Sequence, residues 1–235
     1  MVKISATTFI IVSIILLVCV FFVFMIAGFF VSRPNANSVQ TNIQNQTGNI
    51  NGKDPMVTSA EEVYMSFLRD SDPVRGDGQA DLLVLEFGDF ECPYCFDMYS
   101  ALIKVLADFD GQIGLVWKDF PNPMHLQARN AALSARCAQE QGKFWEYHDY
   151  LFVNQDELSR DMYNKIAIEL GLNLEQFNTC LDSSKYIEEL GQGLQDGQKL
   201  GVDGTPYLFI GNSKVDSLIS EEELAGVIRK EFGKE

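Results

Sequence analysis

Three patterns of apolar and polar positions follow one another along the chain, and each predicts a different kind of element. No charged residue occurs between Lys3 and Arg33, and every residue from Ile14 to Val31 is apolar or Gly. With the approach Ile10-Ile11-Val12, and about 1.5 Å per residue in a helix, that run spans roughly 30 Å, the thickness of a bilayer core. Residues 1–32 are therefore expected to form a single N-terminal transmembrane helix, an uncleaved signal anchor. A cleaved signal peptide is the alternative. Its apolar core would run about 7 to 15 residues and end at a small-x-small site, which Met25-Ile26-Ala27 and Ala27-Gly28-Phe29 match poorly. Lys3 and Arg33 flank the run one on each side, so charge bias does not set its orientation.

Residues 33–58 are rich in Asn, Gln, Gly and Pro and read as a flexible solvated spacer. From 59 to 235 the pattern is that of one folded domain. The run LLVLEF at 82–87 predicts a buried central strand, stopped by Gly88-Asp89. Phe96, Tyr99, Leu102, Ile103, Leu106 and Phe109 then recur at helical spacing, which places a helix at about 93–110. A second strand at 113–117 is ended by Pro121 and Pro123. Between about 126 and 200 the patterns are helical, broken by Gly142, Gly171, Gly191 and Gly197, with no convincing strand. Strand signals return at 207–210 and near Val215, around the turn Gly211-Asn212, before a last helix capped by Ser220 with Glu223 three residues on. The order β-α-β, helical block, β-β-α makes the domain α/β with an all-helical insertion at about 124–200.

Composition narrows the classes of function. At 46% hydrophobic and 22% charged residues the chain can build a core and is not disordered. Eighteen basic against 33 acidic residues leave a net charge of -15, which excludes a basic nucleic-acid footprint.

The candidate chemistry is Cys92-Pro93-Tyr94-Cys95, at the junction of the first strand and its helix. Cys92 falls at the N-cap and Pro93 at the first helical position, where a missing N–H costs nothing. Free N–H groups and the positive end of the helix dipole then favour the Cys92 thiolate, the form that attacks disulfides. Three residues on, Cys95 lies one turn further on the same side, so the two sulfurs can bridge. A zinc site would need two more ligands; His125, His148, Cys137 and Cys180 are the candidates, and none forms a second close pair. Covalent haem attachment would need His where Phe96 stands. No metal and no cofactor is expected.

The stretches LVLEFGDFECPYC, ARNAALSARCAQEQGKFWEYHDYLF and GVDGTPYLFIG occur in that order. Together they resemble the DsbA-like thiol-disulfide oxidoreductases, a thioredoxin-fold family with a helical insertion, from roughly Pro73 to the C-terminus. The resemblance implies a thioredoxin fold interrupted by the helical block. It makes Cys92 the nucleophile of mixed-disulfide exchange and Cys95 the resolving thiol, with Pro93 and Tyr94 as the active-site dipeptide. Thr205-Pro206 matches the dipeptide whose proline the family holds cis against the active-site sulfurs, where the adjoining backbone can take an extended substrate as an added strand; alternatively Pro206 only starts an edge strand. Glu86 falls where the family places a carboxylate beneath the site, suited to accept a proton from Cys95, unless it points to solvent. Lys118, Asp89 and Glu91 could modulate that charge but read more simply as solvated. Some relatives carry a second disulfide in the insertion, which Cys137 and Cys180 would form here; the alternative is two buried free thiols.

The resemblance further implies a membrane-anchored, extracytoplasmic dithiol oxidase that passes its disulfide to exported proteins and is reoxidised by a quinone-linked membrane partner. Tyr94 stands where strongly oxidising members carry His, so a less oxidising couple is expected. A disulfide reductase or isomerase, or a peptide-binding folding helper with incidental thiols, are the alternatives. With no dimerisation segment before the domain beyond tether and spacer, a monomer is expected.

Overall fold

The computed structural model describes residues 59–109 and 111–233. The anchor expected over 1–32 and the spacer expected over 33–58 lie outside them. Among the described residues no helix is long and apolar enough to cross a membrane.

A capping box between Ser59 and Glu62 starts the short helix α1 (Ala60–Met65). The chain continues as β1 (Val74–Gly76), β2 (Leu82–Gly88), α2 (Pro93–Asp108) and β3 (Ile113–Asp119). Next come α3 (Ala128–Gln139), α4 (Phe144–Val153), a 3-10 turn (Gln155–Glu157), α5 (Arg160–Glu169), α6 (Leu174–Asp182) and α7 (Ile187–Leu200). The chain returns to the sheet as β4 (Tyr207–Ile210) and β5 (Ser213–Val215) and closes with α8 (Glu221–Glu231), again behind a capping box, Ser220 with Glu223.

The strands pair in the order β1-β3-β2-β4-β5, with β2 parallel to β3 and antiparallel to β4. The helix α1 and the edge strand β1 carry no sequence signal, because six and three residues are too few to show a period. β4 lies inside the sheet, so Pro206 does not start an edge strand. Alternation along β2 sends Leu82, Val84 and Glu86 to one face and Leu85 and Phe87 to the other. The first face packs under α2 and α8 through Met98, Leu102, Val105, Leu224 and Ile228; the second packs on Tyr64 of α1, Val202 and Phe209. Each such buried side chain contributes about 1.5–3 kcal/mol.

The insertion has its own core, in which Phe144, Tyr147, Leu151, Met162, Tyr163 and Phe177 are buried with Trp117 of β3. Gly142 and Gly171 end α3 and α5 with positive φ of 71° and 69°, as the breaks in the pattern suggest. Gly191 and Gly197, by contrast, lie inside α7 and break nothing. At Gly197 a Cβ would stand 2.5 Å from the Phe120 ring, so this glycine lets α7 close on the chain leaving β3. Cys137 on α3 and Cys180 on α6 are joined by a disulfide. Tying a loop of 43 residues, it stabilises the insertion by about 4 kcal/mol in the chain-entropy account. Arg136, next along α3, is anchored to Asp119 at the end of β3 by a 2.6 Å bond and thus holds the insertion to the sheet.

Candidate active site

The turn between β2 and α2 carries the dithiol. Cys92 caps α2 with extended backbone (φ -80°, ψ 120°), and Pro93 occupies the first turn. Cys95 is fully buried and Cys92 is 5% exposed, so Cys92 is the sulfur nearer to an incoming partner. Both are free thiols here.

The two sulfurs are driven apart in acidity. A hydrogen bond from Cys95 is the main influence on Cys92; the Thr205 side chain and the backbone N–H groups of Cys95 and Tyr94 add to it, and together they outweigh desolvation and lower its pKa to about 6. Burial pushes Cys95 well above the ordinary thiol value, with the Cys92 and Glu86 charges acting in the same direction. As a thiol, Cys92 lies 3.3 Å from the carbonyl oxygen of Thr205, to which it donates. The Thr205–Pro206 peptide bond is cis. The structure therefore brings Cys92, Cys95, Thr205 and Pro206 into one place, with Tyr94 60% exposed beside them.

Glu86 lies in that same layer, between Trp117 of β3 and Leu208 of β4 in the register of the sheet and beneath α2. It is 1% exposed, so it does not point to solvent. Desolvation raises its pKa to about 8, moderated by Arg75, and one carboxyl oxygen has no hydrogen bond among the described residues. A neutral carboxyl is the form that such a site favours at pH 7.

The expectation that Asp89, Glu91 and Lys118 are simply solvated is overturned for two of the three. Asp89 is 2% exposed and accepts hydrogen bonds from the backbone N–H of Glu91 and Asn122, with its other partner His125 at 2.7 Å. Lys118 is buried on the opposite sheet face from Glu86, bonded to Asp72 at 2.6 Å and to the Phe67 carbonyl. It does not modulate the site. Glu91 is half-buried and turns its carboxylate to the backbone N–H of Gln127 and Ala128 at the start of α3. The turn is thus lashed to the β3–α3 connection on either side of Phe90.

Several neighbours of the site have no sequence signal. Phe90 stacks on Trp117 at 4.8 Å and meets Phe152 of α4 at 5.2 Å. Gly88 makes room for this, since a Cβ there would stand 2.2 Å from the Trp117 ring. His148 sits buried among Trp117, Trp145 and Phe152, where desolvation lowers its pKa to about 4 and leaves it neutral. Gln155 reaches from the 3-10 turn to the carbonyls of Phe90 and Cys92, at 2.8 and 2.9 Å. Cys137 and Cys180, bonded to each other, are not ligands for a metal at Cys92 and Cys95.

The family model described as Thioredoxin matches residues 69–230. Among solved structures, a thioredoxin-like oxidoreductase from Silicibacter pomeroyi DSS-3 is 26% identical with a TM-score of 0.63, covering 71% of this chain and 95% of that one. The thiol-disulfide exchange protein alpha-DsbA2 from Wolbachia pipientis is 22% identical with a TM-score of 0.65, covering 73% and 93%, a likeness of fold. A curated relative, the Na(+)/H(+) antiporter NhaA 1 of Mycolicibacterium gilvum, is 36% identical over 162 residues, or 66% of this chain and 26% of the antiporter. The chain spans about a quarter of the length of the curated relatives it matches. That shared stretch has about the extent of the thioredoxin match, so the likeness is that of one domain rather than of a transporter.

Proposed function

We propose that this chain, which belongs to the thioredoxin family, is a DsbA-like thiol-disulfide oxidoreductase in which Cys92 and Cys95 form a disulfide that is passed to thiols of exported proteins outside the cytoplasm. The observation that carries this reading is the asymmetric pair: an acidic, outward sulfur at Cys92 over a buried, weakly acidic one at Cys95.

The exchange runs in two steps. A substrate thiolate attacks Cys92 Sγ of the oxidised protein; the Cys92–Cys95 bond breaks and its electron pair leaves on Cys95, which takes up a proton beside Glu86. A second substrate thiolate then attacks the substrate sulfur of the mixed disulfide, and Cys92 departs as thiolate. The substrate loses two electrons and two protons, and the protein gains the electrons as a dithiol. A low Cys92 pKa makes it the better leaving group, which drives the second step. Thr205 and Pro206, against Cys92, offer backbone to a substrate segment added as a strand. The dithiol is returned to the disulfide by a quinone-linked membrane oxidase, and residues 1–32 tether the domain near it. The Cys137–Cys180 bond fits an oxidising compartment.

With its pKa near 6, Cys92 is mostly thiolate at pH 7. This stabilises the reduced form by about one pK unit, roughly 30 mV, and makes the couple a moderate rather than extreme oxidant. Incubating the oxidised protein with a reduced, unfolded, disulfide-requiring protein tests the assignment. The expected result is loss of two substrate thiols per Cys92–Cys95 bond consumed. No transfer, together with a potential well below that of glutathione, would make it a reductase instead.

A further inference from the structure

Gln155 belongs to the helical insertion, yet its side-chain amide nitrogen bonds the active-site turn. Its amide nitrogen lies 2.8 Å from the carbonyl oxygen of Phe90 and 2.9 Å from that of Cys92. The chemistry of the side chain fits this task. One NH₂ group carries two N–H donors, and two carbonyls converge on it. Neither a carboxylate nor a thioether of the same length could serve, having no donor to offer.

The carbonyl of Cys92 is the first acceptor of α2. It also takes the N–H groups of Cys95 at 3.0 Å and Phe96 at 3.3 Å. Its direction therefore sets the pitch of the first turn, whose N–H groups at Tyr94 and Cys95 are the ones that face the Cys92 sulfur. Phe90, the second carbonyl owner, is the ring wedged between Trp117 and Phe152. Gln155 thus pins both ends of the three-residue turn that leads into the N-cap, from an element that the thioredoxin core does not contain.

We propose that Gln155 is a positioning residue for the dithiol: through the Phe90 and Cys92 carbonyls it holds the first turn of α2 so that its amides stay aimed at the Cys92 sulfur. The insertion, and not the strand–turn–helix unit alone, then sets the reactivity of the thiol. This rests on the dithiol reading above. A displacement of the α4–α5 segment, such as a substrate leaning on it, reaches the Cys92 turn through this side chain, alongside the Phe152 ring packed on Phe90 and Phe96.

The experiment follows the thiolate absorbance of Cys92 against pH in the full reduced chain, alongside its alkylation rate at pH 6, for Gln155→Met, Gln155→Glu and the unchanged protein. Facing Cys92 in this titration are Cys95 on α2 and Thr205 before β4; Glu86 on β2 acts on Cys95. In Gln155→Met the midpoint is expected to rise by about one unit, lowering the alkylation rate at pH 6 roughly fivefold. Gln155→Glu, which also sets a negative charge against two carbonyls, is expected to shift further in the same direction. Circular dichroism of all three should match, because Gln155 is half-buried on a surface turn. Unchanged midpoints in both variants, with the unchanged protein still titrating near 6, would overturn the role of Gln155 and leave the dithiol reading standing. An ordinary thiol midpoint in the unchanged protein would instead remove the reading itself.

Discussion

Replacing Cys92 with Ala is expected to abolish disulfide exchange altogether, while Cys95→Ser is expected to retain attack and lose resolution. Both follow from the difference in burial and acidity between the sulfurs. Cys92 is the one that a partner can reach and the one held as thiolate near pH 6. Without it Cys95, the other free thiol among the described residues, is fully buried and raised well above the ordinary range, so the site keeps no competent nucleophile at neutral pH. In Cys95→Ser the hydroxyl can still donate to the Cys92 sulfur and keep it acidic, but the site holds no second thiol to displace a partner bound to it. The mixed disulfide should accumulate and be visible by non-reducing gel or mass spectrometry. If Cys92→Ala kept measurable exchange with a reduced protein, the attacking sulfur would have been misassigned.

The second large effect concerns Glu86. Its pKa is raised from the ordinary carboxylate value of 4.5 to about 8 by desolvation in the folded state. A group shifted upward in the folded state binds its proton more tightly there than when unfolded. Its favourable contribution is therefore complete below about pH 4.5 and is lost as pH rises towards 8. The full shift corresponds to something on the order of 5 kcal/mol. Glu86→Gln, which keeps the shape and cannot ionise, is expected to flatten most of the fall in stability between pH 5 and 8, as read by denaturant midpoints at several pH values. The same variant should slow the step in which Cys95 gains or loses its proton by about a hundredfold, the usual worth of a positioned acid or base. A pH-stability profile unchanged by Glu86→Gln would show that the carboxyl is not held neutral.

The CPYC motif, the β2–α2 junction and the helical block were legible in the sequence because they rest on local rules: an apolar run, a capping position, a spacing of three. Helix α2 illustrates the limit. Phe96, Tyr99, Leu102 and Phe109 give the helix its period, yet the face packed on the sheet is Met98, Ala101, Leu102 and Val105. Two stripes are apolar because two surfaces are covered: Phe96 and Tyr99 turn to Phe152 of the insertion. A single period cannot tell one buried face from two. Asp89 and Lys118 read as solvated because charged residues usually are, whereas each is buried by a partner distant in sequence, His125 for one and Asp72 for the other. Gln155, in a polar stretch with no periodicity, offered no signal. Its meaning lies wholly in the carbonyls that it meets.

The most direct test is the titration of the Cys92 thiolate in the reduced, unsubstituted chain, followed by absorbance near 240 nm and assigned by its loss in Cys92→Ala. The structure predicts a midpoint near 6, about three units below an ordinary thiol. A midpoint at 8.5 or higher would mean that the amides at the head of α2 do not hold the sulfur as an anion, and the proposed chemistry would fall with them.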